Sequence, residues 1–518
     1  MENQIKILWV DDEIDLLKPH IMFLEQKSYT VFTSNNGDEA LDILKDSPFD
    51  IVFLDENMPG LSGIETLSLI KNSYPNLPVV MITKSEEETI MEDAIGSNIS
   101  DYLIKPVNPK QILLCLKKNL ENKKIRSEKT TSAYQQEFRN LGMEISAGLD
   151  HHQWKDIYKK LINWELKLER SEDEGMKEVF SMQKQEANQQ FCRFVERNYE
   201  DWVAATDDDR PILSHRLMKE KVVDKLTPGK PLFFILVDNL RFDQWKMLQP
   251  LIEEYFRILE EDMYYSILPT VTQYARNAMF AGLMPIEIQK KYPQYWVNED
   301  MDETKNKYES QLLGEQLKRF GKNIPYSYNK VLSLTVGRKL VDNMPNLMNN
   351  DLNVIVYNFI DMLSHARTEM EVIRELADDD AAYRSLTLSW FEHSPLFEIL
   401  KFISEKKADI IITTDHGSVR VDNPVKVVGD RNTNNNLRYK IGKSLNYNKK
   451  EVYEVKRPEN IHLPRLNVSS TFIFCRDKDF FAYPNNFNYY VNYYKNTFQH
   501  GGISMEEVLI PFIHLKGK

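Results

Sequence analysis

The chain has 518 residues and a net charge of −12, with 42% hydrophobic, 11% aromatic and 28% charged residues. That length implies about two to four domains, and the composition excludes a mostly disordered chain. Apolar runs such as Phe233–Val237 fall far short of the ~18 residues of a membrane span.

The N-terminus Met1-Glu2-Asn3-Gln4 has no basic-then-apolar signal pattern. Three scattered cysteines, Cys115, Cys192 and Cys475, argue against a disulfide framework and for a cytoplasmic location. The acidity is uneven. Residues 1–125 hold 12 Lys, no Arg and 21 acids, a net −9, which leaves −3 for the rest. Duplex DNA binding is disfavoured, because phosphate neutralisation needs clustered cations.

In residues 1–122, apolar runs at Ile5–Val10, Tyr29–Thr33, Ile51–Leu54, Val79–Ile82 and Tyr102–Ile104 read as buried strands. Amphipathic stretches at Ile14–Gln26, Gly37–Lys45, Gly63–Ser73, Glu86–Ile95 and Lys110–Leu120 read as helices. Five βα units predict a doubly wound parallel α/β sheet, with functional groups at the carboxyl ends of the strands. Those ends carry Asp11 and Asp12, Asp55, Thr83 and Lys105. Convergent carboxylates repel unless a cation lies between them, and oxygen ligands suit Mg²⁺. A carboxylate beside Mg²⁺ and a lysine can accept a phosphoryl group.

The ordered set Asp11-Asp12, Asp55 with Met58-Pro59-Gly60 and Gly63, Thr83, Tyr102 and Lys105-Pro106 resembles the receiver domain of two-component response regulators. The resemblance implies phosphorylation of Asp55 by a cognate histidine kinase. It implies Mg²⁺ on Asp12, Asp55 and the carbonyl of Asn57, with Asp11 acting through water. Lys105 and Thr83 would contact the phosphoryl group, and Thr83 and Tyr102 would act as switch residues.

Gly and Pro are nearly absent between Ile125 and Arg210, and apolar residues such as Trp154, Ile157, Tyr158, Leu161, Trp164 and Leu168 recur at helical spacing. Residues 123–225 are therefore expected to form a helical bundle, with three helices. Asp207-Asp208-Asp209 reads as a helix start or linker. Adjacent His151-His152 do not share a helix face, so a cap or surface role outweighs a metal site.

In residues 226–518, the apolar strand Leu232–Val237 delivers Asp238. Asn353–Phe359 is followed by Asp361 and His365, and Ile410–Ile412 leads to Asp415-His416-Gly417. A further site is His500-Gly501-Gly502, and Leu268-Pro269-Thr270-Val271-Thr272 leaves a strand near Met263–Ile267. Asp361 and His365 at i, i+4 share a helix face. Three Asp and three His exceed the ligands of one tetrahedral ion, and mixed imidazole and carboxylate donors favour Zn²⁺ or Mn²⁺. Two ions can clamp a phosphoryl group, with a threonine hydroxyl as the nucleophile.

These marks, with Asn239-Leu240-Arg241, Ala275-Arg276 and Ile503–Glu507 before Pro511, resemble the PglZ branch of the alkaline phosphatase superfamily. The resemblance implies one Zn²⁺ on Asp238, Thr272, Asp415 and His416, and another on Asp361, His365 and His500. It favours Thr272 over Thr270 as nucleophile. Arg241 and Arg276 are candidates for holding the substrate phosphate or, equally, for structural ion pairs.

Residues 426–465 hold ten Lys or Arg and four acids, including Arg438 and Lys440. They are expected either as a solvated loop or as a basic lid that attracts an anionic substrate. Nine aromatics in residues 480–498 read as core, with base stacking as the lesser alternative.

A receiver (1–122), a helical segment (123–225) and a PglZ domain (226–518) in that order resemble the PorX type of response regulator. That likeness implies dimerisation on phosphorylation and control of type IX secretion with an extracytoplasmic sigma factor and a secretion-motor component. It also implies zinc-dependent hydrolysis of nucleotides or short or cyclic oligonucleotides. A non-catalytic docking platform and a phosphomonoesterase are the alternatives.

Overall fold

The computed structural model describes residues 5–75, 77–84, 99–171, 173–206, 209–299, 301, 303–430, 433–465 and 467–518, without the side chains of 121–129, 369, 371 and 372. The chain divides into two compact units, residues 1–134 with 170–173, and residues 135–169 with 174–518.

The first unit is built on five parallel strands: β1 (Lys6–Val10), β2 (Thr30–Ser34), β3 (Ile51–Asp55), β4 (Val79–Thr83) and β5 (Asp101–Ile104). Their order is β2-β1-β3-β4-β5. Alternate strand residues enter two separate cores. Ile7, Trp9, Phe53 and Ile82 pack on one face, and Leu8, Val10, Leu54 and Met81 on the other. This two-sided burial is why the strands read as unbroken apolar runs. The expected helix Ile14–Gln26 is instead a short 3₁₀ turn, Ile14–Leu17, followed by a helix over Lys18–Glu25. Pro19 lacks an N–H and fits only the first turn of a helix, so the α-helix begins beside it. The expected helix Glu86–Ile95 lies outside the described residues. The helix Pro109–Leu116 continues through a wide turn, Lys117–Glu121, into a long helix over Asn122–Ser146.

In the second unit, helices His151–Glu169 and Glu174–Ala204 bury apolar stripes at helical spacing, Trp154, Tyr158 and Leu161 on the first and Phe191, Val195 and Trp202 on the second. The longer helix docks on the C-terminal region. Asn188 Nδ2 donates to Asp477 Oδ1 at 2.7 Å, and its Oδ1 accepts from the Met505 N–H at 2.8 Å.

The central sheet of this unit contains β6 (Leu232–Val237), β7 (Phe256–Tyr265), β8 (Tyr326–Val331), β9 (Leu352–Tyr357), β10 (Asp409–Thr413) and the C-terminal strand Leu509–Gly517. The last strand lies antiparallel between β7 and β10, while β10, β6, β9 and β8 run parallel. The carboxyl ends of β6, β9 and β10 therefore meet at one edge, where ligands gather in α/β sheets. No helix among the described residues is long and apolar enough to cross a membrane.

Candidate phosphoacceptor and metal sites

In the first unit, Asp11 follows β1, Asp55 ends β3 and Lys105 follows β5. Asp11 and Asp55 are buried and Asp12 is exposed. Ligand atoms of Asp11, Asp12 and Asp55 lie within 4.8 Å of one another. Lys105 Nζ bridges Asp11 at 2.8 Å and Asp55 at 3.0 Å. Burial pushes the Asp55 carboxyl up against the pull of Lys105. One oxygen of Asp55, Oδ1, is buried with no hydrogen-bond partner, as suits a carboxylate that takes a cation. Asn57 is exposed. Gly63 is required by close approach: a Cβ there would sit 2.4 Å from the Asp55 carbonyl oxygen. Thr83 Oγ1 donates to Glu56 at 2.9 Å, and Tyr102 is 42% exposed, its ring turned outward.

The second unit brings the expected Asp and His residues into two adjacent sets. Asp238, Asp415 and His416 form one, and Asp361, His365 and His500 the other. Asp238 follows β6, and Asp415-His416 occupy the turn after β10. Asp361 and His365 lie on the helix Phe359–Glu369, which starts after β9. The His416 and His500 rings stack with centroids 4.2 Å apart, joining the sets.

Within each set, imidazole nitrogens face carboxylate oxygens at contact distances that fit a shared ion. His500 Nε2 is 3.5 Å from Asp361 Oδ1, and His365 Nε2 is 3.5 Å from Asp361 Oδ2. His416 Nε2 is 3.7 Å from Asp238 Oδ1 and 3.8 Å from Asp415 Oδ2. Two ligands ~2.0–2.2 Å from one tetrahedral ion lie roughly 3.3–3.6 Å apart, which the two Asp361 contacts match and the two His416 contacts slightly exceed. Burial, reinforced by His416 and His365, pushes the His500 pKa well below its usual value, leaving the neutral imidazole that a metal ligand must be. His416 Nδ1 contacts the Gly417 carbonyl at 3.2 Å, leaving Nε2 for the ion. Burial, with repulsion from Asp415 and Asp361, raises the Asp238 pKa well above normal despite Arg276. Burial also opposes ionisation of Asp415, but Arg276 and His416 beside it outweigh that and hold it at about 2. Divalent charge between these groups would relieve the repulsion.

Thr272 is the first residue of the helix Thr272–Ala281, and its Oγ1 lies 3.1 Å from His416 Nε2. A helix N-terminus stabilises negative charge on such an oxygen. Thr270 differs. It is fully buried, its hydroxyl donates to the Gly502 carbonyl at 2.9 Å, and it accepts from the Gly501 N–H at 3.1 Å.

Arg241 and Arg276 are buried and engaged in ion pairs. Arg241 Nη1 pairs with Asp380 at 2.7 Å, and its Nε donates to Asp243 at 2.9 Å. Arg276 pairs with Asp238, and its Nε donates to Asp415 at 3.0 Å. Arg276 thus orients two of the donor carboxylates.

The basic stretch divides into buried and exposed cations. Arg438 is fully buried against Glu507, with Nη2 2.6 Å from Oε2. Glu507 also accepts from the Gly502 N–H and the Ser504 hydroxyl, so this pair fixes the loop carrying His500. Lys440 is 1% exposed, donates to the Asn434 carbonyl and lies over the Tyr483 ring. Lys426, Lys443, Lys449, Lys450, Lys456 and Arg457 are exposed; Arg431 is outside the described residues. Of the aromatic stretch, Phe480 and Phe481 are core and Tyr489 is exposed. His151 is buried beside exposed His152.

Several residues shape the site through contacts that only the fold shows. Asn239 holds a left-handed φ of 67° and donates to Ser364, between Asp361 and His365. Asn306 Nδ2 donates to the Thr272 carbonyl at 2.9 Å. A Cβ at Gly417 would sit 2.1 Å from the Glu506 carbonyl oxygen, so only glycine fits after His416.

Comparison with known families agrees with this architecture. Residues 217–515 match the BREX system PglZ alkaline phosphatase-like domain, residues 124–203 the PorX response regulator linker domain, and residues 7–117 the response regulator receiver domain. The chain belongs to the PglZ family, as a two-component response regulator of PorX-type architecture. The transcriptional regulatory protein ResD of Bacillus subtilis (strain 168) is 34% identical over 115 residues, 22% of this chain and 48% of ResD. The alginate biosynthesis transcriptional regulatory protein AlgB of Pseudomonas syringae pv. tomato is 35% identical over 120 residues, 23% of this chain and 27% of AlgB. The chain thus spans about half or less of these curated relatives. Among solved structures, the Vibrio cholerae chemotaxis protein CheY4 is 28% identical, with a TM-score of 0.22, covering 23% of this chain and all of that one.

Proposed function

We propose that phosphorylation of Asp55 by a histidine kinase controls a two-metal phosphodiesterase in the PglZ domain, acting on nucleotides or short or cyclic oligonucleotides. The observation that carries this reading is the pair of Asp/His sets beside Thr272 at a helix N-terminus. Asp238, Thr272, Asp415 and His416 would hold one Zn²⁺, and Asp361, His365 and His500 the other. When bound, the ions supply positive charge to the phosphoryl oxygens and ease proton loss from the threonine hydroxyl. Thr272 Oγ1 then attacks phosphorus, the ester oxygen leaves, and water later hydrolyses the phosphothreonine. Thr270 is unsuited, because both hydrogen-bonding roles of its hydroxyl are already filled. Arg276 holds Asp238 and Asp415 in place and favours the ionised form of Asp415.

In the receiver, Mg²⁺ on Asp12, Asp55 and the Asn57 carbonyl, with Asp11 through water, would accompany phosphorylation. Thr83 and Tyr102 would rearrange around the phosphoryl group, and Lys105 would contact it. PorX-type architecture extends the proposal to dimerisation, a cytoplasmic location, and control of type IX secretion with an extracytoplasmic sigma factor and the secretion motor.

The test is hydrolysis of bis-nitrophenyl phosphate against mono-nitrophenyl phosphate by wild type and Thr272→Val. The diester is expected to be preferred, and the variant to lose about 10³-fold or more in rate at unchanged metal content. Monoester preference would favour the phosphomonoesterase. Undiminished hydrolysis in the variant would remove Thr272 from the mechanism.

A further inference from the structure

Helices His151–Glu169 and Glu174–Ala204 border a cavity of about 530 Å³. That volume is typical of small-molecule sites. Its aromatic wall is continuous: Trp154 and Phe194 have centroids 6.0 Å apart, and Phe194 and Trp202 are 5.2 Å apart. Arg193 and Arg197 line the same cavity, and their i, i+4 spacing places them on one helix face, with Phe194 flanking it. Both are exposed, and neither has a carboxylate partner among the described residues. Trp154 and His151 are 2% and 7% exposed, yet Trp154 Nε1 and His151 Nε2 have no hydrogen-bond partner. Leaving such buried polar atoms unsatisfied is costly. Two acids also line the cavity. The Asp150 carboxylate is engaged by the N–H groups of His152 and Gln153, whereas Asp209 is exposed.

We infer that this cavity is a nucleotide-binding site, separate from the metal centre. The base stacks on Phe194, the partly exposed ring of this wall, which buried Trp154 and Trp202 back, since every base offers a π-face to aromatic side chains. The phosphate pairs with Arg193 and Arg197, whose planar guanidinium groups suit it. Exposed Asp209 can accept from an exocyclic amine. The helical segment thereby gains a small-molecule input of its own.

Calorimetric titration of the full-length, metal-loaded protein with AMP, adenosine and inorganic phosphate tests this. Wild type is expected to bind one AMP per chain more than Arg193→Ala/Arg197→Ala. Adenosine and phosphate are expected to bind that site at least tenfold more weakly. Any AMP held at the metals contributes equally to both proteins, so the result stands apart from the phosphodiesterase reading. Because both arginines are exposed, the circular dichroism melt should be unchanged; if the alanine pair misfolds, Arg193→Gln/Arg197→Gln replaces it. Equal AMP stoichiometry and affinity in variant and wild type, or adenosine or phosphate binding as tightly as AMP, would overturn the inference.

Discussion

The receiver cluster and the PglZ cluster both gather carboxylates at the carboxyl ends of parallel strands, yet they relieve the repulsion differently. At Asp11, Asp12 and Asp55 the donors are all oxygen, one carboxylate is open to water, and a flexible Lys105 bridges the other two. Such a site suits a loosely held, hydrated ion and a transferable charge. At Asp238, Asp361 and Asp415, three imidazoles join the carboxylates, and buried Arg276 locks two of them in place. That site suits ions held firmly in fixed geometry. One strand-end pattern thus yields two differently built carboxylate clusters, and the partner side chains distinguish them.

The sharpest break is Asp55→Asn. Labelling from a small phosphodonor is expected to vanish while the metal content of the PglZ domain stays the same. Retained labelling would place the phosphoacceptor elsewhere. Next in size is Arg438→Ala, which strands buried Glu507 and is expected to cost about 3–5 kcal/mol in denaturant melts. Lys449→Ala in the same basic stretch should change stability by less than about 0.5 kcal/mol. Equal effects would contradict the division of that stretch into buried and solvated cations.

Lys440 gives a pH signature. Burial holds its pKa down at about 8, below the ordinary 10.5. Between those values the unfolded chain binds one more proton than the folded chain, so this group makes stability rise as pH climbs from about 8 toward 10.5. Its cost is fully present below pH 8. Lys440→Met should therefore raise stability at pH 7, on the order of 1–3 kcal/mol, and flatten that slope relative to wild type. Unchanged slopes would mean Lys440 is not desolvated. For Arg276→Lys the expected effect is roughly 10–100-fold weaker metal affinity, with substrate KM little changed at saturating metal. A raised KM alone would return Arg276 to the substrate.

Much of the site was legible because its chemistry follows strand ends. Asp238, Asp361 and Asp415 each follow an apolar run, and the four-residue spacing of Asp361 and His365 specifies a helix face. What the sequence left open depends on pairing between distant residues. Arg438 and Glu507 are 69 positions apart, so counting charges along 426–465 could not separate a buried cation from a solvated one. The two threonines of Pro269-Thr270-Val271-Thr272 are chemically identical, and only their partners, Gly501 and Gly502 for one and His416 for the other, tell them apart. Asn239 reveals its left-handed turn only in the fold.

The two-ion centre is the central claim, and metal analysis of purified protein tests it most directly. Wild type is expected to carry two tightly bound divalent ions per chain in the PglZ domain. Asp415→Ala/His416→Ala and Asp361→Ala/His365→Ala are each expected to carry about one, with diester hydrolysis lost in both. Unchanged metal content in either double variant would contradict the assignment.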